Sequence, residues 1–177
     1  RVVIADDEPL TRSLLCDSLR ALGHEVVAEA ENGSVAVAAA VSELPDACVL
    51  DIRMPVMDGI EAASKILEKC QTAILFLTAY DDRDLVDRAA EAGAFGYLLK
   101  PFRKSELSPA LEVAVQRSRQ VYSQRAEIEK LQDNLEARKT IERAKGILMD
   151  RHSIGEEEAY RRIHNQARKQ GRRMKDV

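Results

Sequence analysis

In the first hundred residues, short apolar runs alternate with segments whose apolar residues recur at helical spacing, and the alternation repeats five times. The runs at 2–5, 25–30, 47–50, 73–78 and 96–99 predict strands, and the segments between them predict helices. In the first helix the spacing falls on Leu10, Leu14, Ser18 and Leu22. Turn residues punctuate the pattern where helix ends require them: Gly23 closes the first helix, Asp58-Gly59 opens the third and Gly93 closes the fourth. Strands that are apolar throughout, joined by helical crossovers, form parallel sheets covered on both faces. Five such units suit a doubly wound open sheet, because a closed barrel needs eight. The predicted class is α/β.

After Pro101 the strand pattern stops. Residues 103–149 carry no glycine before Gly146, and their one proline, Pro109, is expected in a first turn. One long helix is predicted. Ala114, Val121, Ile128 and Leu135 fall seven apart, the spacing of a coiled-coil seam, but the companion seam positions hold Arg117, Gln124, Leu131 and Arg138. A solvated linker helix and one strand of a parallel dimeric coiled coil both fit this pattern, and the seam favours the dimer. A shorter helix follows. Ser153 and Glu156 have the spacing of a capping box, with Ser153 as N-cap, and Ala159, Ile163 and Ala167 mark one face up to Gly171. A third helical start at Met174 is expected to be cut short by the end of the sequence at Val177.

Charge divides the chain in the same place. The net charge of −3 conceals 11 Lys/Arg against 20 Asp/Glu in residues 1–116, and 16 against 10 in residues 117–177. An acidic half and a basic half imply different partners. No apolar run approaches the roughly 20 residues that span a bilayer, and the first apolar run is too short for a signal peptide. A cytoplasmic protein with no membrane partner is expected. Cys16, Cys48 and Cys70 lie in apolar segments without metal or redox spacing, and are expected as core residues.

In an open parallel sheet, reactive groups gather at the carboxyl ends of the strands. Those ends carry Asp6 and Asp7, Asp51, Thr78 and Lys100. Three crowded carboxylates repel one another unless one is protonated or a cation joins them, and an all-oxygen donor set suits Mg²⁺. Such a cluster, with a lysine and a hydroxyl as donors, is equipped to take up a phosphoryl group by positioning and charge neutralisation. Asp6-Asp7, the run from Asp51 through Ile52, Arg53, Met54 and Pro55 to Asp58-Gly59, Leu77-Thr78-Ala79 and Lys100-Pro101-Phe102 resemble the receiver domain of two-component response regulators. The resemblance covers residues 1–116 and implies a flavodoxin-like five-stranded sheet. It implies that Asp51 accepts a phosphoryl group from a sensor histidine kinase. Mg²⁺ would lie on Asp6, Asp7, Asp51 and the Arg53 carbonyl, Lys100 and Thr78 would contact the phosphoryl group, and Thr78 and Tyr97 would be the switch pair. A cis Lys100-Pro101 bond, aiming Lys100 inward, is part of the same implication.

Seven Lys/Arg and no acid lie between Ala159 and Lys175, the electrostatic footprint of a polyanion partner. Ala144-Lys145-Gly146-Ile147-Leu148-Met149 and Glu158-Ala159-Tyr160 resemble the ANTAR domain, an RNA-binding module of transcription antitermination regulators, over residues 131–177. The implied organisation is a receiver at 1–116, a linker or coiled-coil helix at 117–137 and a small all-α three-helix output domain at 138–177. A homodimer promoted by phosphorylation would bind hairpins in mRNA leaders. Arg143, Lys145, Tyr160, Arg161, Arg162 and Arg168 are the expected RNA contacts. Tyr160 suits either base stacking or core packing. Gly146, costly inside a helix, implies close approach by the second helix or by a ligand backbone, with the helix favoured. The alternative partner is DNA, although the short helices and tight turn of a helix-turn-helix are missing. No P-loop, HExxH or nucleophile elbow suggests an independent enzyme.

Overall fold

The computed structural model describes residues 1–79, 88 and 92–177. The helix expected between the fourth and fifth strands lies outside them. The described elements are β1 (Val2–Ala5), α1 (Pro9–Ala21), β2 (Val26–Ala30), α2 (Gly33–Glu43), β3 (Ala47–Asp51), α3 (Gly59–Leu67), β4 (Ala73–Ala79), β5 (Gly96–Lys100), α4 (Lys104–His152), α5 (Glu156–Gln170) and a 3₁₀ turn (Met174–Asp176). The chain divides into two compact units, Arg1–Tyr122 and Ser123–Val177. Among the described residues no helix is long and apolar enough to cross a membrane.

The first unit is a five-stranded sheet in the order β2-β1-β3-β4-β5. Every pairing is parallel. This is the doubly wound, flavodoxin-like order, with its switch point between β1 and β3. Successive strand side chains point to opposite faces, and the core divides accordingly. Val3, Ala5, Cys48, Leu50, Ile74 and Phe76 pack with Ala36 and Ala40 of α2 and Ile60, Ala63 and Ile66 of α3. Val2, Ile4, Val49, Leu75 and Leu77 pack on the other face with Leu15 and Leu19 of α1 and Leu107, Leu111 and Ala114 of α4. At about 1.5–3 kcal/mol per fully buried large apolar side chain, these two layers are the main source of the unit's stability. Asp58 opens α3 as its N-cap, its carboxylate accepting from the Glu61 N–H at 2.7 Å. All three cysteines are buried and free. Burial pushes the Cys48 thiol up to about 12 and Cys16 to about 11, so both are neutral core groups.

Three expectations change. The stripe through Leu10 and Leu14 faces outward, at 79% and 60% exposed, and α1 buries Leu15, Cys16 and Leu19 instead. Pro109 lies inside α4, beyond the first turn. Ser153 is not an N-cap. Because α4 continues to His152, Ser153 makes the left-handed turn that ends it (φ 54), and Gly155 caps α5 without a side-chain bond. In the second unit, α5 buries Ala159, Ile163 and Ala167, as the spacing predicts, and closes on left-handed Gly171.

Candidate functional site

The carboxyl ends of β1, β3, β4 and β5 bring their polar residues level. Ala5 pairs with Leu50, Asp51 with Leu77, Thr78 with Leu99 and Ala79 with Lys100. Asp6 is fully buried, Thr78 nearly so, and Asp51 is 8% exposed, whereas Asp7 is exposed. A carboxylate oxygen from each of Asp6, Asp7 and Asp51 lies within 4.8 Å of the others. The Lys100 ammonium sits among them, 2.7 Å from Asp6 Oδ2 and 2.9 Å from Asp51 Oδ2. The Lys100-Pro101 bond is cis.

The site is therefore a part-buried cluster, with Asp6 and Asp51 inside and Asp7 at its exposed rim, that carries an internal counter-ion. Burial raises the Asp51 carboxyl above its ordinary value, against hydrogen bonds from Lys100 and the Arg53 backbone that lower it. Burial works against the charge on Lys100 too, but its bonds to Asp6 and Asp51 outweigh this and hold the ammonium above its usual value. Asp6 is also fixed from its own loop. Its Oδ1 accepts from the Glu8 N–H at 2.9 Å, and Arg12 donates to its carbonyl at 2.7 Å. The hard oxygen donors fit a small divalent ion such as Mg²⁺, which would share the Asp6 and Asp51 carboxylates with Lys100. Tyr97 is 54% exposed, outside the core that encloses Thr78.

Backbone contacts hold the loop beyond Asp51. Gly59 N–H donates to the Ile52 carbonyl at 2.9 Å, and Gly33 N–H donates to the Met57 carbonyl at 3.1 Å. A Cβ at Gly59 would lie 2.1 Å from the Asp51 carbonyl oxygen. The sequence marked Gly59 as a helix opener and as the end of the receiver-like run, without this close approach, and gave Arg12 no role. The signal for Gly59, a glycine directly after an N-cap and eight residues past a strand-end aspartate, is legible only once the strand end is located.

The raised Asp51 carboxyl makes a stability prediction. The folded state holds the Asp51 proton more tightly than the unfolded chain does. Stability therefore falls as pH rises from the ordinary carboxylate value through the folded one, and at neutral pH the ionised group is a net burden. Asp51→Asn removes that burden, and Lys100 keeps Asp6. Thermal unfolding at neutral pH without divalent ions should show a melting temperature higher by ~2–4 °C. A lower one would contradict the assignment.

In the second unit, Arg143 and Arg168 are exposed, as a surface role requires. Arg161 and Arg162 are exposed but both pair with Glu158, Arg162 at 3.1 Å. Tyr160 is half exposed and stacks on His164, with centroids 6.3 Å apart and planes 16° apart. Lys145 departs from expectation: it is buried at 7% exposure and paired with Glu142 at 2.9 Å and Glu156 at 2.6 Å. Gly146 departs too. Nothing lies within 4 Å of a Cβ placed there, so packing of α5 does not explain it.

Comparison with known proteins divides the chain similarly. The response regulator receiver domain matches residues 2–112, and the ANTAR domain matches residues 129–177. Transcriptional regulatory protein PdtaR of Mycobacterium tuberculosis is 45% identical over 177 residues, covering 100% of this chain and 86% of that protein. Among solved structures, the REC domain of AraT, a response regulator from Geobacillus stearothermophilus, is 31% identical with a TM-score of 0.61, over 68% of this chain and 96% of that one. The receiver domain of a sensor histidine kinase from Pseudomonas aeruginosa, which has magnesium coordinated in its active-site cleft, is 30% identical with a TM-score of 0.60. That match covers 65% of this chain and 96% of that one.

Proposed function

Because the chain belongs to the response regulators, with a receiver domain followed by an ANTAR domain, we propose that it takes a phosphoryl group on Asp51 from a sensor histidine kinase and answers by binding hairpin RNA in nascent transcripts, causing antitermination. The observation that carries this reading is Lys100 bridging buried Asp6 and Asp51, with Asp7 in reach and Thr78 at the neighbouring strand end. It acts as a regulator; its chemistry is confined to its own aspartate.

Asp6, Asp7, Asp51 and the Arg53 carbonyl would hold Mg²⁺, which supplies positive charge for the phosphoryl oxygens. An Asp51 carboxylate oxygen attacks the phosphorus of the kinase's phosphohistidine in line; the N–P bond breaks as the O–P bond forms, the imidazole leaves with the electron pair, and the carboxylate becomes an acyl phosphate. Lys100 then turns from Asp51 to the new phosphoryl oxygens, and the Thr78 hydroxyl donates to them. Roughly two added negative charges draw Thr78 toward the site, and Tyr97 moves from its exposed position into the space released. The receiver at 1–116 passes the change through residues 117–137 to the output domain at 138–177. Ile128, Leu131 and Leu135 are each more than half exposed on α4, which supports a dimer seam there. Arg143, Tyr160, Arg161, Arg162 and Arg168 are the RNA contacts of this reading.

Labelled acetyl phosphate with Mg²⁺ should place an acyl phosphate on Asp51, located by peptide mapping; label elsewhere would overturn the receiver reading. At fixed salt, phosphorylation should tighten binding to a two-hairpin RNA by ~10²-fold relative to one hairpin, through linked weak sites. Preference for duplex DNA of the same length would overturn the RNA reading and favour a DNA-binding output.

A further inference from the structure

The basic sequence around Lys145 suggests a phosphate contact, but its surroundings suit a different task. A lysine ammonium has three N–H donors. Here three oxygens meet it: Glu142 Oε1 and Oε2, each at 2.9 Å, and Glu156 Oε1 at 2.6 Å. Two carboxylates around one ammonium leave the spot with a net charge of about −1, which repels phosphate. The side chain is also only 8% exposed.

The two partners stand on different helices. Glu142 shares α4 with Lys145, one turn earlier, and Glu156 is the first residue of α5. Between them lies the three-residue turn Ser153, Ile154 and Gly155, whose N-cap Gly155 provides no side-chain bond to hold the start of α5. The apolar contact along α5 rests on Ala159, Ile163 and Ala167. Two of these are alanines, and apolar contact is non-directional. Such a face holds two helices together but resists rotation and sliding weakly. A directional ion pair at the first turn of α5 adds a constraint there, while Lys175, beyond the other end of α5, pairs with Asp133 of α4 at 3.1 Å.

We propose that Lys145, through Glu156, is a positioning residue that fixes α5 on α4 so that the exposed Tyr160, Arg161 and Arg168 meet RNA in register with Arg143. This rests on the reading of the output half as an RNA binder. The pair does not contact the nucleic acid itself.

The sign of one substitution separates this from a phosphate contact. Glu156→Gln removes a negative charge beside a polyanion, and by charge alone it should tighten binding. A positioning role predicts that it weakens binding instead. With the full chain and a synthetic RNA carrying two short hairpins, Glu156→Gln should bind ~5–10-fold more weakly. Lys145→Met should show a similar loss, with the slope of log affinity against log salt unchanged. Both variants should keep wild-type helix content by circular dichroism. Tighter or unchanged binding by Glu156→Gln would overturn the proposal, as would a slope reduced by about 1 in Lys145→Met, the mark of a lost phosphate contact. If the wild type binds no RNA, the RNA reading fails. The clamp is then decided by a double-mutant cycle in thermal unfolding, where coupling between Lys145→Met and Glu156→Gln supports it and strict additivity overturns it.

Discussion

Lys100→Met should slow phosphoryl uptake from acetyl phosphate by at least about a hundredfold, the scale of losing one charge-stabilising donor from a preorganised site. The same substitution should tighten Mg²⁺ binding by about tenfold. Both effects come from one geometry. The Lys100 ammonium lies 2.7 Å from Asp6 and 2.9 Å from Asp51, two of the carboxylates that would hold a metal ion. With methionine in its place, Asp6, Asp7 and Asp51 carry three charges with no internal counter-ion. Their repulsion raises the Asp51 carboxyl further and increases the gain from binding an external cation. Unit charges 4 Å apart interact by about 4 kcal/mol at the effective dielectric of a protein edge. Lys100 is part-exposed, and screening together with the lost hydrophilic contact reduces this to roughly the 1.4 kcal/mol of a tenfold change. Chemistry responds the other way, because no ammonium remains to follow charge onto the phosphoryl oxygens. Calorimetric Mg²⁺ titration and labelled-phosphate kinetics would read the two effects separately. Unchanged metal affinity with uptake retained would show that Lys100 is only a surface charge.

The residues behind those two effects were legible in the sequence, because Asp6, Asp51, Thr78 and Lys100 each stand within one position of a strand end. Asp6 follows Ala5, Asp51 and Lys100 end β3 and β5, and Thr78 is the penultimate residue of β4. A short apolar run announces itself and its end, so the parallel register does the rest. Features that depend on distant partners were not legible. In α1, two stripes one residue apart have the same helical period. Only packing against the sheet, with Leu107 and Leu111 of α4, decides that Leu15 and Leu19 go inside and Leu10 and Leu14 outside. The Ser153 capping box was a sound local signal, overridden because α4 gains three more residues of helix before it turns. Lys145 looks like its exposed basic neighbours until Glu156, eleven residues away, is brought to it by the turn. The candidate contacts on α5 were legible as charge and not as geometry, since Glu158 engages both Arg161 and Arg162.

Gly59→Ala should be the most damaging small substitution in the receiver unit. The added methyl would lie 2.1 Å from the Asp51 carbonyl oxygen and 2.9 Å from its carbonyl carbon. These neighbours are backbone atoms of a central strand, so no side chain is free to step aside. Either α3 lifts from the end of β3 or Asp51 shifts; overpacking typically costs about 1–3 kcal/mol, and a contact this close falls at the upper end. Thermal unfolding of the receiver unit should fall by about 10 °C. In the molecules that remain folded, a displacement of Asp51 near 1 Å should lower phosphoryl uptake by a further ~10²-fold, because in-line attack depends on the placement of the reacting oxygen. Gly146→Ala is the matched control. Nothing lies within 4 Å of that methyl, and replacing glycine by alanine inside a helix should stabilise the second unit by about 1 kcal/mol. The two glycines thus predict shifts of opposite sign from the same added methyl. Equal shifts would mean that helix propensity, not the press of α3 on the Asp51 backbone, governs Gly59. A large loss at Gly59 with phosphoryl uptake intact would mean that the strand end tolerates movement without disturbing its chemistry.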